Sequence, residues 1–230
     1  MMSAFKGFPE ACLPFLETLS NNNNRAWFSE NKTAYEQQIR EPALAFIEHM
    51  QPRLQKISPR FRAIAKKTGG SLMRVYRDTR FSKDKTPYKT NIGIQFRHEL
   101  GKDVHAPGFY VHIEPELCFV GAGIWHPENP LLGKIRDFIV DNPASWKAAR
   151  DDKTFRRHFT LEGDSLKRPP RGFPPDHELM DDLKRKDFIA CKYFDSGKIT
   201  APSFAQFVTN SFKQADPFMR YLCNAVNVNY

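Results

Sequence analysis

Residues 108–114 alternate apolar and polar side chains before Pro115-Glu116, and 117–124 follow as an apolar run broken by two glycines. Such alternation marks a β-strand with one buried face, because successive side chains leave a strand on opposite sides. A two-residue connection fixes the pairing by arithmetic: 114 faces 117, 112 faces 119, 110 faces 121 and 108 faces 123. One face of this hairpin then carries Phe109, Val111, Ile113, Cys118, Val120, Ala122 and Ile124, and it must be covered by a core. The other carries Tyr110, His112, Glu114, Leu117, Phe119, Gly121 and Gly123. Its two glycines are expected to leave an open floor where something can approach the backbone closely.

Helical spacing frames the hairpin. Leu13, Leu16 and Leu19 predict a helix over 9–20, with Pro9 tolerated in the first turn. Asn24 is placed to cap a second helix carrying Trp27, Phe28 and Tyr35. Glu41-Pro42 opens a third, with Leu44, Phe46, Ile47, Met50 and Leu54 as its apolar positions and Pro59 beyond its end. Residues 71–77 and 92–98 alternate like strands. Beyond the hairpin, helices are predicted over 130–140, from Pro143, and over His177–Lys186; Asp187–Asp195 reads as a strand. Ser203 is placed to cap a last helix carrying Phe204, Phe207, Val208 and Phe212 and, later, Tyr221 and Leu222. The prolines of 167–175 require an extended loop.

The expected architecture is α+β, one domain over 1–230: N-terminal helices in 9–57, a central antiparallel sheet in 71–124, then helices and loops in 130–230. The sheet should hold about four or five strands. The 40% hydrophobic content and 20 Phe argue for an aromatic-rich interior. No apolar run approaches the roughly 20 residues that span a bilayer, and the first residues lack a signal-peptide core, so a cytoplasmic location is expected. Cys12, Cys118, Cys191 and Cys223 share no metal-ligand spacing and read as reduced and mostly buried.

The charge of +9 is concentrated in one place. Arg60 to Lys102 holds twelve bases and three acids, and the rest of the chain has 23 of each. Within that window Arg74, Arg77, Arg80, Lys83, Lys85 and Lys89 are interleaved with Asp78, Thr79, Ser82, Asp84, Thr86, Thr90 and Asn91. Guanidinium groups fork onto phosphate or carboxylate, ammonium groups add point charges, and hydroxyl and loop N–H groups complete an anion nest. The run therefore reads as a loop built to hold an anion. The competing reading is that Asp78 and Asp84 pair with two of the bases and lock the loop, which leaves four bases to explain.

Tyr110, His112 and Glu114 form a polar row on one strand face, a geometry suited to a general acid/base pair. A lone strand histidine is more often structural. His126 is a weaker candidate, and the spacing of Asp78, Asp84 and Glu114 matches no metal motif. Phosphate-binding loops of the Walker type, dinucleotide fingerprints, nucleophile elbows and zinc-protease motifs are absent, so no cofactor is expected.

The segment Arg77-Asp78-Thr79-Arg80-Phe81-Ser82-Lys83-Asp84-Lys85-Thr86-Pro87-Tyr88-Lys89-Thr90-Asn91 resembles the hallmark of a bacterial and fungal family of conserved hypothetical proteins, classed as a domain of unknown function. Residues 23–28, Asn31-Lys32, 107–115, 121–125 and 167–172 fit the same pattern. The resemblance covers almost the whole chain and implies membership but no activity. It suggests that the flagged segments converge in one pocket: the basic loop, the Tyr110-His112-Glu114 row and the glycine floor, joined by Asn24, Arg25 and Arg171. Three functions stay open at this point. One is binding of an anionic, phosphate-containing ligand by Arg74, Arg77, Asp78, Arg80, Lys83, Lys85, Lys89 and Tyr110. Another is a phosphoester-processing enzyme using His112 and Glu114. The last is a binding module for nucleic acid or an acidic protein.

Overall fold

A computed structural model of the chain describes residues 5–101 and 106–230. Lys102, the last base of the charged window, lies outside the described residues. The chain opens with α1 (Cys12–Asn21), α2 (Arg25–Glu30) and α3 (Lys32–Tyr35), then a π-helical turn over Glu36–Arg40 that runs into α4 (Glu41–Gln55). Asn24 caps α2 as expected, its side-chain oxygen accepting from the Trp27 N–H at 3.0 Å. The second helix breaks at Asn31, so Tyr35 falls on α3.

Strands β1 (Ile92–Arg97), β2 (Gly108–Ile113) and β3 (Cys118–Ile124) follow. Next come α5 (Asn129–Asp141), α6 (Pro143–Arg150), α7 (Lys153–His158), β4 (Thr160–Glu162), α8 (Met180–Leu183) and β5 (Phe188–Tyr193). A 3-10 turn over Ser196–Thr200 leads to α9 (Phe204–Gln214) and α10 (Asp216–Ala225). The five strands form one antiparallel sheet in the order β1-β2-β3-β5-β4. The α+β architecture read from the sequence is therefore the one observed.

The β2–β3 hairpin has the arithmetic register: Gly108 faces Gly123, Tyr110 faces Gly121 and His112 faces Phe119. Glu114 and Leu117 close it with a pair of backbone hydrogen bonds of 3.1 and 3.3 Å. All seven residues of its apolar face are buried. Phe212 of α9 packs on that face, 4.5 Å from Phe109 and 5.7 Å from Phe96 between ring centroids. Farther along, Trp146 of α6 meets Phe188 of β5 at 5.9 Å. The four cysteines are free and buried.

Several expectations are corrected. Residues 71–77 are not a strand of the sheet. Met73 donates to Gly93 and accompanies β1, but the chain then changes partner, with Lys89 donating to Val75 and Arg77 to Pro87. Pro87 has no N–H to extend a ladder, so only isolated bridges form, at Leu72–Ile94 and Tyr76–Tyr88. The sheet instead extends to β4 and β5, well beyond residue 124.

His177–Lys186 is helical only over Met180–Leu183. Arg136 of α5 donates to the carbonyls of Leu183 (2.7 Å) and Arg185 (3.1 Å), taking up the groups that a longer helix would have used. The last predicted helix divides at Ala215, just before Pro217, and Ser203 makes no side-chain capping bond. The glycine floor is not open. Gly123 has φ +129°, and a Cβ there would lie 2.0 Å from the Phe188 carbonyl oxygen, so this glycine serves the close approach of β5. Gly121 lies beneath Tyr110 and Phe119.

Candidate functional site

The basic run forms a loop whose base is the Tyr76–Tyr88 bridge. Its two acids organise it. The Asp84 carboxylate accepts from the Thr86 N–H at 2.9 Å and pairs with Arg77, which also bonds the Thr86 hydroxyl. The Thr86 N–H and then the Arg77 guanidinium pull the Asp84 pKa down to about 2. Asp78 accepts from the Arg80 guanidinium at 3.0 and 2.7 Å and from its backbone N–H at 3.2 Å. These bonds, the guanidinium first, bring the Asp78 pKa to about 2. Lys85 spans the loop to the Thr79 carbonyl at 2.9 Å.

The loop is also tied to the N-terminal helices. The Asn23 side chain accepts from the Tyr88 N–H at 3.0 Å and donates to the Tyr88 carbonyl at 2.9 Å. The Tyr88 ring stacks on Phe28 of α2 at 4.0 Å and 18°, and meets Tyr76 at 5.5 Å. Between Asn23–Arg25 and the loop lies a pocket of about 820 Å³. Its loop side is formed by Tyr76, Arg77, Thr79 and residues 85–88. The walls hold three cations, Arg25, Arg77 and Lys85, and no carboxylate.

The polar row of β2 is a connected network. His112 Nε2 lies 3.2 Å from Glu114 Oε2, and Nδ1 lies 3.3 Å from the Tyr110 hydroxyl and 3.4 Å from the Asn91 amide nitrogen. The Thr90 hydroxyl donates to the other Glu114 oxygen at 3.0 Å. With Glu114 accepting at Nε2, Nδ1 carries the lone pair in the neutral ring and accepts from its neighbours. The imidazole lies parallel to the Phe119 ring at 4.8 Å and 8°. Burial lowers the His112 pKa, and the bond to Glu114 opposes that shift. Burial pushes the Tyr110 pKa up to about 12.

Among the residues singled out from the sequence, Arg77 and Lys85 line the pocket. Asp78 and Arg80 pair with each other, and Arg74 and Lys83 are exposed outside its walls. Lys89 is half-buried, its pKa lowered by burial and then by the charge of Arg74. Tyr110, His112 and Glu114 are not pocket walls either. The row and the basic run meet instead through Thr90 and Asn91. Asn24 and Arg25 do line the pocket, whereas Arg168 and Arg171 are exposed elsewhere, in a loop tied down by the Leu166–Lys184 backbone bond. His126, at φ 46°, places Nδ1 3.0 Å from the buried Asp187 carboxylate.

The sequence did not mark Asn23, Tyr76 or Tyr88 as site residues. Asn23 and Tyr88 belong to segments already flagged, and Tyr76 lies one residue before the basic run. Among the described residues, no group of three or more His, Cys, Asp or Glu side chains is placed to share a metal ion. No helix among them is long and apolar enough to cross a membrane.

No curated protein and no solved structure matches the chain. Residues 11–221 match the family described as conserved hypothetical protein, DUF2461, and this span includes α1, the basic loop, the whole sheet and most of α10. The chain therefore belongs to the DUF2461 family of conserved hypothetical proteins.

Proposed function

We propose that the pocket between Asn23–Arg25 and the basic loop binds an anionic, phosphate-containing ligand. The observation that carries this reading is the composition of its walls, which hold Arg25 and Lys85 with no carboxylate among them, beside Arg77 paired to Asp84. Loop locking by the two aspartates accounts for Arg77 and Arg80. It leaves Arg25, which has no carboxylate partner among the described residues, and Lys85, which spends one donor on Thr79 and keeps two. The Asn23–Tyr88 bonds hold the two walls in register before any ligand arrives, which reduces the ordering cost of binding. Calorimetric titration with inorganic pyrophosphate tests the reading. A saturable one-site isotherm that weakens with added salt is the expected result, and a protein that takes up no pyrophosphate at low salt contradicts it.

A second reading, phosphoester processing, rests on the His112 network. A half-buried imidazole whose pKa is lowered, bonded to Glu114 at one nitrogen and beside the Tyr110 hydroxyl at the other, suits proton transfer. In this reading Glu114 orients His112, and His112 accepts the proton. Hydrolysis of a generic aryl phosphate that is lost in His112→Gln would support it. Equal turnover in both proteins would remove it.

A further inference from the structure

We infer that the ligand of the basic pocket carries a planar aromatic ring beside its phosphate, as a nucleoside phosphate does. This deepens the anion-binding reading and rests on it. The observation is Tyr76. Six large apolar or aromatic side chains are exposed among the described residues, and only Tyr76, at 53%, lines the pocket.

Its position is built. The Tyr76 backbone is bridged to Tyr88, whose own N–H and carbonyl are held by Asn23. Its ring lies 5.5 Å from the buried Tyr88 ring, which stacks on Phe28 at 4.0 Å. Phe28 and Tyr88 thus form a stacked pair in the core, and Tyr76, tilted 45° against Tyr88, extends this aromatic cluster, half-exposed, to the cavity wall. An exposed ring held in place by its neighbours offers a stacking surface to one more ring, and base–aromatic stacking accepts any base. Arg25 and Lys85 supply donors for a phosphate in the same cavity, and Thr79 adds a hydroxyl-bearing side chain suited to a sugar. The volume of about 820 Å³ is far more than a bare phosphate needs. It falls in the range of roughly 300–1,000 Å³ typical of small-molecule sites.

A free nucleotide and the 5′-phosphorylated end of a nucleic-acid strand share this chemistry. The test compares adenosine 5′-monophosphate, ribose 5-phosphate, inorganic phosphate, and a short oligonucleotide with and without its 5′-phosphate. Each is titrated into the full chain as wild type, Tyr76→Ala, Tyr76→Phe and Arg25→Ala. The nucleotide is expected to bind roughly tenfold or more tighter than ribose 5-phosphate, with the advantage lost in Tyr76→Ala and kept in Tyr76→Phe. Arg25→Ala should weaken every phosphate-bearing probe. A phosphorylated oligonucleotide that outbinds the mononucleotide assigns the site to strand ends, and the reverse order assigns it to free nucleotides.

Equal affinity for nucleotide and ribose 5-phosphate, unchanged by Tyr76→Ala, overturns the ring inference and leaves the anion reading standing. Failure of every probe to bind the wild type overturns both.

Discussion

Asn23 and Tyr88 stand 65 residues apart and exchange two hydrogen bonds, the asparagine side chain closing on both polar groups of one backbone residue. This contact makes the basic loop a wall of the N-terminal helical layer. It also fixes the entry of α2, because the next residue, Asn24, is that helix's cap.

Asn23→Ala should therefore cost stability. The substitution removes one donor and one acceptor and leaves the part-buried N–H and carbonyl of Tyr88 without their partner. The expected loss is about 1–3 kcal/mol, seen as a lower urea midpoint at unchanged slope. Asn23→Asp keeps the acceptor alone and should fall between. A midpoint unmoved by Asn23→Ala would mean that the contact does not hold the loop.

Two glycines should respond in opposite senses. At Gly123 the positive φ and the Phe188 carbonyl 2.0 Å from an added Cβ leave no room, so Gly123→Ala should separate β3 from β5. A loss above about 4 kcal/mol, visible as a sharp fall in folded yield, is expected. Gly133, inside α5, would meet nothing within 4 Å. Gly133→Ala should stabilise the protein by about 0.5–1 kcal/mol, and thermal unfolding of the pair checks both directions.

His112 gives the fold a pH dependence of known sign. Burial holds its pKa below the ordinary 6.5 in the folded state. As pH falls through that ordinary value, the unfolded chain takes up a proton that the folded chain refuses, and stability drops; above it, the contribution is constant. Wild type should lose stability as pH falls through the ordinary histidine value of 6.5, and His112→Gln should lose less. His49 and His158 shift in the same direction, so the difference between the two proteins, measured by denaturation at each pH, isolates His112. Parallel stability curves would show that the imidazole is not held neutral.

What could be read from the sequence was local. The β2–β3 register follows from alternation and a two-residue connection, and the Asn24 cap from a residue type three positions before Trp27. The basic run was legible as a loop with hydrogen-bonding neighbours. Its partition was not, because whether Asp84 takes Arg77 or another base depends on how the loop closes at Tyr76–Tyr88. No periodicity marks a bond between Asn23 and Tyr88, and β4 is three residues whose pairing exists only because β5 lies beside it. Gly123 was legible as a close approach, but the partner could not be named. The backbone that comes near is β5 of the same chain.

The most direct test of the anion pocket compares single substitutions at three cations. Arg25 and Lys85 line the cavity; Lys83 belongs to the same basic run, is exposed, and stands outside the walls. Pyrophosphate affinity would be measured by calorimetry for Arg25→Ala, Lys85→Ala and Lys83→Ala at one salt concentration. A shaped site predicts a loss of roughly tenfold or more for the first two and almost none for Lys83→Ala. Equal, small losses at all three would show a diffuse basic surface and contradict the pocket.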